Sequence, residues 1–176
     1  MSRAKESRKQ RQSRAREIFL RGQEQQDEGH LKSGFRLLLA AAKLGDSGAQ
    51  LNLGYTYDVG IGLHPNRAAA IFWYEKAYRS GRGWGSAANN IGTIYRDEQN
   101  LLEAIRWFRR AVRDGDVDAN LELAKIYLKN PRQQDRAVEC LKDTLKATPP
   151  MGVSEDAQRE ARKLLKQIEK RGVSHS

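Results

Sequence analysis

Residues 48–81 read GAQLNLGYTYDVGIGLHPNRAAAIFWYEKAYRSG, and both halves of this stretch recur further along the chain. GAQLNLGYTY, which begins at Gly48, is followed by SAANNIGTIY from Ser86 and by DANLELAKIY from Asp118. AIFWYEKAYRSG, which begins at Ala70, is followed by AIRWFRRAVRDG from Ala104. Recurrence at intervals of 38 and 32 residues is typical of repeat architectures. The stretch therefore predicts a fold built from copies of one small unit.

The second half of the unit has helical spacing. Ala70, Trp73, Tyr74 and Ala77 lie at positions i, i+3, i+4 and i+7, which form one face of a helix. Gly81 follows where a left-handed residue would end that helix. More distant copies of this half are GFRLLLAAAKLG at 34–45 and AVECLKDTLKAT at 137–148. Each unit thus reads as a helical hairpin that buries its apolar face only against neighbouring hairpins.

The recurrence also distinguishes core residues from a ligand pocket. Trp73 returns as Trp107, and Tyr74 returns as Phe108, at the same helical position. A pocket needs its aromatic rings once, whereas a stacked core needs them in every unit, so we predict that all four rings are core. Phe72 lies about 100° away from that face and is not expected to share it.

Small residues recur where the two helices of a hairpin would meet. They allow close approach of the backbones, and they are Ala49, Gly54, Gly92 and Ala124.

The stretch 48–81 resembles a Sel1-like repeat, a relative of the tetratricopeptide repeat. That unit reads roughly A-x3-L-G-x2-Y-x2-G-x-G-V-x2-D, then A-x2-W-Y-x-K-A-A-x2-G. The positions that meet it are Ala49, Leu53, Gly54, Tyr57, Gly60, Gly62, Ala70, Trp73, Tyr74, Lys76, Ala77 and Gly81. Leu63, Asn66 and Tyr78 replace the Val, the Asp and the second Ala. The resemblance covers roughly residues 14–148. It is weaker at 86–115, which lacks the glycine loop, at 118–148, where Cys140 takes the Trp position, and at 14–45.

The resemblance implies an all-α fold, a right-handed α-solenoid of about four helical hairpins plus a C-terminal capping helix. The predicted organisation is a basic flexible tail at 1–12, the repeat solenoid at 13–148, the capping helix at 149–171 and a loose end at 172–176. The predicted helices lie near 13–28, 31–44, 47–59, 66–80, 85–96, 100–114, 117–129 and 134–147. Pro149 and Pro150 interrupt the pattern, and Ser154 is a suitable residue to begin the last helix.

In folds of this kind the first helix of each hairpin lies on a concave surface. The positions expected to contact a partner there are Asn52, Tyr55, Asp58, Asn89, Asn90, Thr93, Arg96, Glu122 and Lys125. Asn52 and Asn90 are equivalent in the repeat, and an amide that both donates and accepts could bond the backbone of an extended peptide. The alternative is a solvated polar face. Trp84, between two glycines, is a candidate anchor for a partner, or else a cover for a helix end.

Charge suggests a second class of function. Residues 1–21 carry eight cations and two carboxylates, hence +6 of the net charge of +10. Nucleic-acid phosphates could be contacted by Arg3, Lys5, Arg8, Lys9, Arg11, Arg14 and Arg16. No aromatic residue precedes Phe19, so the tail lacks the stacking platform of a single-strand binder. The alternative is a solubilising tail that docks on acidic surfaces.

Residue types that carry catalysis or bind metals are sparse. The G-x-G at 60–62 follows no strand and precedes no Lys-Ser or Lys-Thr, which a phosphate loop requires. His30, His64 and His175 share no helical spacing, and Cys140 is the single cysteine. We therefore predict no catalytic residue, no metal and no cofactor.

The lone cysteine indicates a reducing compartment. No apolar segment follows the basic N-terminus, and no run of eighteen apolar residues exists, so we predict a cytoplasmic protein without a membrane partner.

Together these patterns predict a non-catalytic protein–protein interaction module, an adaptor, scaffold, assembly or regulatory factor. It would act as a monomer, bind a peptide or protein on its concave helical face and take no small-molecule substrate. The alternative is a nucleic-acid-associated factor that uses the basic N-terminal arm.

Overall fold

The structure is a computed structural model that describes residues 7–80, 85–147 and 153–173. Every regular element within these ranges is helical. The helices are α1 (Arg8–Asp27), α2 (Leu31–Leu44), α3 (Ser47–Val59), α4 (Arg67–Arg79), α5 (Gly85–Asp97), α6 (Leu101–Arg113), α7 (Ala119–Tyr127), α8 (Gln134–Lys146) and α9 (Glu155–Val173). A single turn of 3₁₀ helix, Pro131–Gln133, precedes α8.

Consecutive helices pack as hairpins: α1 with α2, α3 with α4, α5 with α6, and α7 with α8. The last helix, α9, packs mainly on α8. The chain divides into two compact units, residues 1–82 with α1 to α4 and residues 83–176 with α5 to α9. We call them unit 1 and unit 2. The predicted all-α class, with four hairpins and a final helix, is confirmed.

Polar side chains fix where several of these helices begin. The Asp46 carboxylate accepts a hydrogen bond from the Ala49 amide at 2.7 Å, and the Asn66 side chain accepts one from the Ala69 amide at 2.9 Å. At the last helix the Ser154 hydroxyl accepts from the Ala157 amide at 3.1 Å, which confirms the predicted start. Such caps satisfy amides that have no partner inside the helix.

The first helix begins earlier than the sequence pattern predicts. The Ser7 hydroxyl accepts a hydrogen bond from the Gln10 amide at 3.2 Å, and the Gln10 side chain accepts one from the Ser7 amide at 2.9 Å. This reciprocal capping box starts α1 at Arg8. Residues 8–12 are therefore helical rather than a flexible tail. Arg3 and Lys5 lie outside the described residues.

The predicted aromatic core is confirmed in both units. Trp73 is 9% exposed and Tyr74 fully buried in unit 1, and Trp107 is 8% exposed and Phe108 fully buried in unit 2. Trp73 belongs to a cluster that also holds Phe19, Leu38, Ala41, Ala42, Ala49 and Leu53. Phe72 lies off that face, as predicted, and its side chain is 52% exposed.

Glycines allow the two helices of a hairpin to approach closely in two of the hairpins, as predicted. A Cβ atom placed on Gly54 would lie 2.6 Å from Cε1 of Tyr74, and one on Gly92 would lie 2.7 Å from Cδ1 of Phe108. Both separations are below van der Waals contact, so a buried ring occupies the space that any side chain at these positions would need. The repeat thus places a glycine on the first helix directly against an aromatic ring on the second.

Candidate partner-binding surfaces

In unit 1 the predicted contact residues lie on α3. Asn52, Tyr55 and Val59 are spaced i, i+3 and i+7, and so share one side of the helix. Tyr55 is 51% exposed and Val59 is 53% exposed. The Asn52 side chain is half-buried and forms no hydrogen bond with any described residue. We call these three residues the α3 face. Sequence reasoning missed Val59, although its helical spacing from Tyr55 was available.

The α3 face combines apolar surface with one polar group able to pair. Exposed aromatic and aliphatic side chains gain by burial against a partner, and tyrosine is enriched at the centres of protein interfaces. The Asn52 amide can donate to a carbonyl and accept from an amide of an extended chain. Asp58, also predicted to contact a partner, is half-buried and already interacts within the chain.

In unit 2 the equivalent asparagines have different roles. The Asn89 amide donates to both carboxylate oxygens of Asp116, at 3.2 and 3.3 Å, and so ties α5 to the segment before α7. Burial raises the pKa of Asp116, and the hydrogen bond from Asn89 opposes that shift. Asn89 is therefore engaged in the fold rather than free for a partner. Asn90 and Thr93 are half-buried, and their side chains form no hydrogen bond with described residues.

The charged positions predicted to contact a partner in unit 2 pair with one another. The guanidinium of Arg96 on α5 forms ion pairs with Glu122 on α7 and, at 2.9 Å, with Asp97. Lys125 Nζ lies 3.0 Å from Glu122 and 3.2 Å from Glu160 on α9. We call Arg96, Glu122, Lys125 and Glu160 the charge ladder. A ligand that approached this side of unit 2 would compete with pairs that already exist.

The ladder also raises the pKa of its two cations. Burial alone would lower the pKa of Arg96 and of Lys125, but their carboxylate partners outweigh it and raise both. Sequence reasoning found three of the four members. It missed Glu160, because only the packing of α9 brings that residue back to α7.

Glu122 links the ladder, so its removal is the direct test of what the ladder contributes. We expect Glu122→Gln to lower the free energy of unfolding by about 1 kcal/mol, since two partly exposed cations lose their shared partner. The loss should shrink as salt is raised from 0.1 to 1 M, because salt screens the pairs. Urea titrations of both proteins at the two salt concentrations measure this. A difference that is absent at both would show that the ladder contributes nothing.

The predicted nucleic-acid residues form part of a hairpin. Arg8, Lys9, Arg11, Arg14 and Arg16 are exposed on α1, the helix that also contributes the buried residues Ala15 and Phe19. The Arg16 guanidinium lies 4.8 Å from the centre of the Phe19 ring. Trp84, the other predicted anchor, lies outside the described residues.

Cys140 is half-buried on α8, beside a cleft of about 300 Å³ that Asn120 and Tyr127 also line. Burial, with nearby carboxylates, raises the pKa of its thiol to about 11. Thiolate is the reactive form, so the thiol should be inert near neutral pH. Across the described residues no cluster of three or more His, Cys, Asp or Glu is placed to hold a metal ion.

This protonation state has a measurable consequence. We expect Cys140 in the folded protein to react with a disulfide reagent at pH 7.5 about 100-fold more slowly than in urea, since each pKa unit changes the thiolate fraction tenfold. The absorbance of the released thiolate follows both reactions. Equal rates in the two states would contradict the burial of this thiol.

Known proteins contain the same repeat. The family model for the Sel1 repeat matches residues 15–46, 47–81 and 85–116. The putative sel1-like repeat-containing protein L21 of Acanthamoeba polyphaga mimivirus is 32% identical over 88 residues, 50% of this chain. The Arabidopsis thaliana ERAD-associated E3 ubiquitin-protein ligase component HRD3B is 30% identical over 110 residues, 62% of this chain. Each match spans only 16% of the relative's own length.

Solved structures agree on the fold. A Sel1 repeat protein from Oxalobacter formigenes superimposes with a TM-score of 0.63 and 25% identity, over 89% of this chain and 73% of its own. MamA gives a TM-score of 0.57 at 21% identity, over 86% of this chain and 96% of its own, which shows the fold alone. Within the described residues no helix has the length and apolar character needed to cross a membrane.

Proposed function

Since the chain belongs to the Sel1 repeat family, whose members are generally protein-interaction modules, we propose that it is a non-catalytic interaction module that binds a partner protein through the α3 face. The observation that carries this proposal is the half-exposed Tyr55 beside Asn52, whose side-chain amide has no hydrogen-bond partner in the described part of the chain. Exposed apolar surface next to an amide that is available for hydrogen bonding suits an extended peptide, which supplies both side chains and backbone groups.

The comparisons support an assembly or adaptor role without specifying the partner. HRD3B is named as a component of a ubiquitin-ligase assembly, and association with other proteins is what such a role requires. The same comparisons give no support to the nucleic-acid alternative. In unit 2 the side chains predicted to contact a partner are largely engaged within the fold, by the charge ladder and by the Asn89–Asp116 hydrogen bonds. This supports recognition of the partner by unit 1 rather than by unit 2. We propose that unit 1 provides the recognition surface.

The test is affinity capture from native lysate, with and without nuclease, quantified by mass spectrometry. We expect a protein that is recovered equally after nuclease treatment, and whose recovery falls about tenfold, or about 1.4 kcal/mol, with Asn52→Ala plus Tyr55→Ser. Leu102→Ala is the matched control, since Leu102 is an exposed apolar residue of α6, 74% exposed, outside the α3 face.

Two outcomes would contradict the proposal. Equal recovery by the wild-type chain and by the α3-face variant would place the partner elsewhere. Recovery that collapses with nuclease would favour the nucleic-acid alternative, and the contribution of the cations of α1 would then have to be tested. Deletion of residues 1–21 is unsuitable for that question, because it removes Ala15 and Phe19 from the core. Arg8→Gln with Lys9→Gln removes exposed charge and keeps the buried residues Ala15 and Phe19.

A further inference from the structure

The last helix, α9, carries two opposed faces. Ala157 and Ala161 are buried and Leu164 is half-buried on the side that packs in unit 2. The opposite side carries five exposed cations: Arg159, Arg162, Lys163, Lys166 and Lys170. At about 100° per residue these five fall within an arc of about 100°. Between Arg159 and Lys170 no carboxylate lies in that arc. We call the five cations the basic stripe, and at 1.5 Å per residue it is about 16 Å long.

The stripe is held facing outward by contacts at the base of α9. The Gln158 side chain donates to the Ala147 carbonyl at 2.7 Å, and the Ser154 amide donates to the Asp118 carboxylate at 2.7 Å. Glu160 joins the charge ladder through Lys125 at 3.2 Å. Because the helix is fixed on its other sides, the cations form a preorganised row.

Part of the charge of the row is uncompensated among the described residues, although Lys170 already interacts within the chain. Arg159, whose side chain is 77% exposed, pairs with Asp156. Arg162, Lys163 and Lys166 have no carboxylate partner among the described residues. Cations at i and i+4, such as Arg162 and Lys166, repel one another and destabilise a helix. An anionic partner would relieve that repulsion.

We propose that the basic stripe binds an acidic helical segment of a partner protein. Arg159, Lys163, Lys166 and Lys170 are spaced i, i+4, i+7 and i+11, and carboxylates with the same spacing on one side of an antiparallel helix would lie opposite them. The proposal is independent of the α3 face, because the basic stripe lies on α9 in unit 2 whereas α3 belongs to unit 1.

The surroundings of the stripe favour protein over nucleic acid. Glu155 and Asp156 lie at its N-terminal end, where a continuous phosphate backbone running along the helix would meet like charge. A short acidic segment can end there, or carry a cation in register with these carboxylates. The stripe also contains no aromatic side chain on which a base would stack.

The experiment is fluorescence anisotropy of a labelled helical peptide titrated with the full chain. The probe carries Glu at i, i+4, i+7 and i+11 on an Ala and Gln background, and a duplex DNA of 15 base pairs is titrated in parallel. We expect the peptide to bind, and Lys163→Glu with Lys166→Glu to weaken it at least about tenfold, as expected when charge complementarity is lost. Arg8→Glu with Lys9→Glu changes the net charge equally on exposed positions of α1, and should change binding less than about threefold.

Further variants and thermal melts separate loss of binding from loss of folding. Lys163→Gln with Lys166→Gln should give an intermediate loss, and thermal melts identify any variant that is misfolded. Asn52→Ala with Tyr55→Ser should leave peptide binding unchanged, so failure of the stripe and failure of the α3 face can be told apart. The proposal is overturned by absent peptide binding, by equal loss in the α9 and α1 variants, or by tighter binding of the DNA with the same dependence on Lys163 and Lys166.

Discussion

Replacement of Trp107 by alanine is expected to lower the free energy of unfolding by about 3–5 kcal/mol. The indole is 8% exposed on α6, and the Arg110 guanidinium covers it at 4.4 Å from the ring centre. Removal leaves a cavity between packed helices, and the loss is a large part of the 5–15 kcal/mol that stabilises a typical domain. Trp73→Ala in unit 1 should have the same effect, because that ring is 9% exposed at the equivalent position.

Urea titrations followed by circular dichroism measure both changes. Leu102→Ala is the control within α6, since Leu102 is 74% exposed, and we expect a change within about 0.5 kcal/mol. Phe72→Ala should cost less than Trp73→Ala, because the Phe72 ring is 52% exposed, although it meets the indole edge-on with ring centres 5.1 Å apart. An unfolding curve that either tryptophan substitution leaves unchanged would show that the ring is dispensable for packing. A ligand-binding role for the aromatic stretch 71–74 would then have to be reconsidered.

Addition of a single methyl group at Gly92 is expected to destabilise unit 2 by about 1–3 kcal/mol. Helix propensity alone predicts the opposite sign, because alanine is favoured over glycine inside a helix by about 1 kcal/mol. The clash should win, since the new Cβ would lie 2.7 Å from Cδ1 of Phe108, a ring that is fully buried and cannot withdraw. Gly54→Ala should act in the same way on Tyr74 in unit 1.

A double-mutant cycle isolates this contact. Phe108→Leu makes room at the glycine, so Gly92→Ala should cost at least about 1 kcal/mol less in the Phe108→Leu background than in the wild type. Ser86→Ala, at an exposed position of α5, is the control for helix propensity. Stabilisation by Gly92→Ala, or strictly additive effects of the two substitutions, would contradict the close approach of α5 and α6.

The repeat pattern predicts the hairpins well because the same physical constraint recurs in each copy. An aromatic ring on the second helix requires a small residue on the first, and the pairs Gly54–Tyr74 and Gly92–Phe108 are visible as repeated letters. Core positions follow from helical spacing alone. The start of α1 is harder to place, because its capping box involves only Ser7 and Gln10 and no apolar period accompanies it.

The binding surfaces are less predictable because they depend on partners distant in sequence. Repeat alignment makes Asn52 and Asn90 equivalent, and it cannot tell that the neighbouring Asn89 is used by Asp116. The same holds for the charged positions, since repeat spacing predicts a groove position for Arg96, Glu122 and Lys125. In the fold these three residues pair with one another and with Glu160, which the packing of α9 brings close to α7. Local periodicity identifies which face is exposed, and tertiary packing decides which exposed groups remain available.

The central claim, that the α3 face recognises a partner protein, is tested most directly by site-specific photocrosslinking in native lysate. A photoreactive phenylalanine analogue at position 55 should give a discrete protein adduct that nuclease does not remove and that Asn52→Ala weakens. The same analogue at position 102 on α6 should give none. Crosslinks from position 102 but not from position 55, or an adduct at 55 that disappears with nuclease, would contradict recognition of a protein by the α3 face.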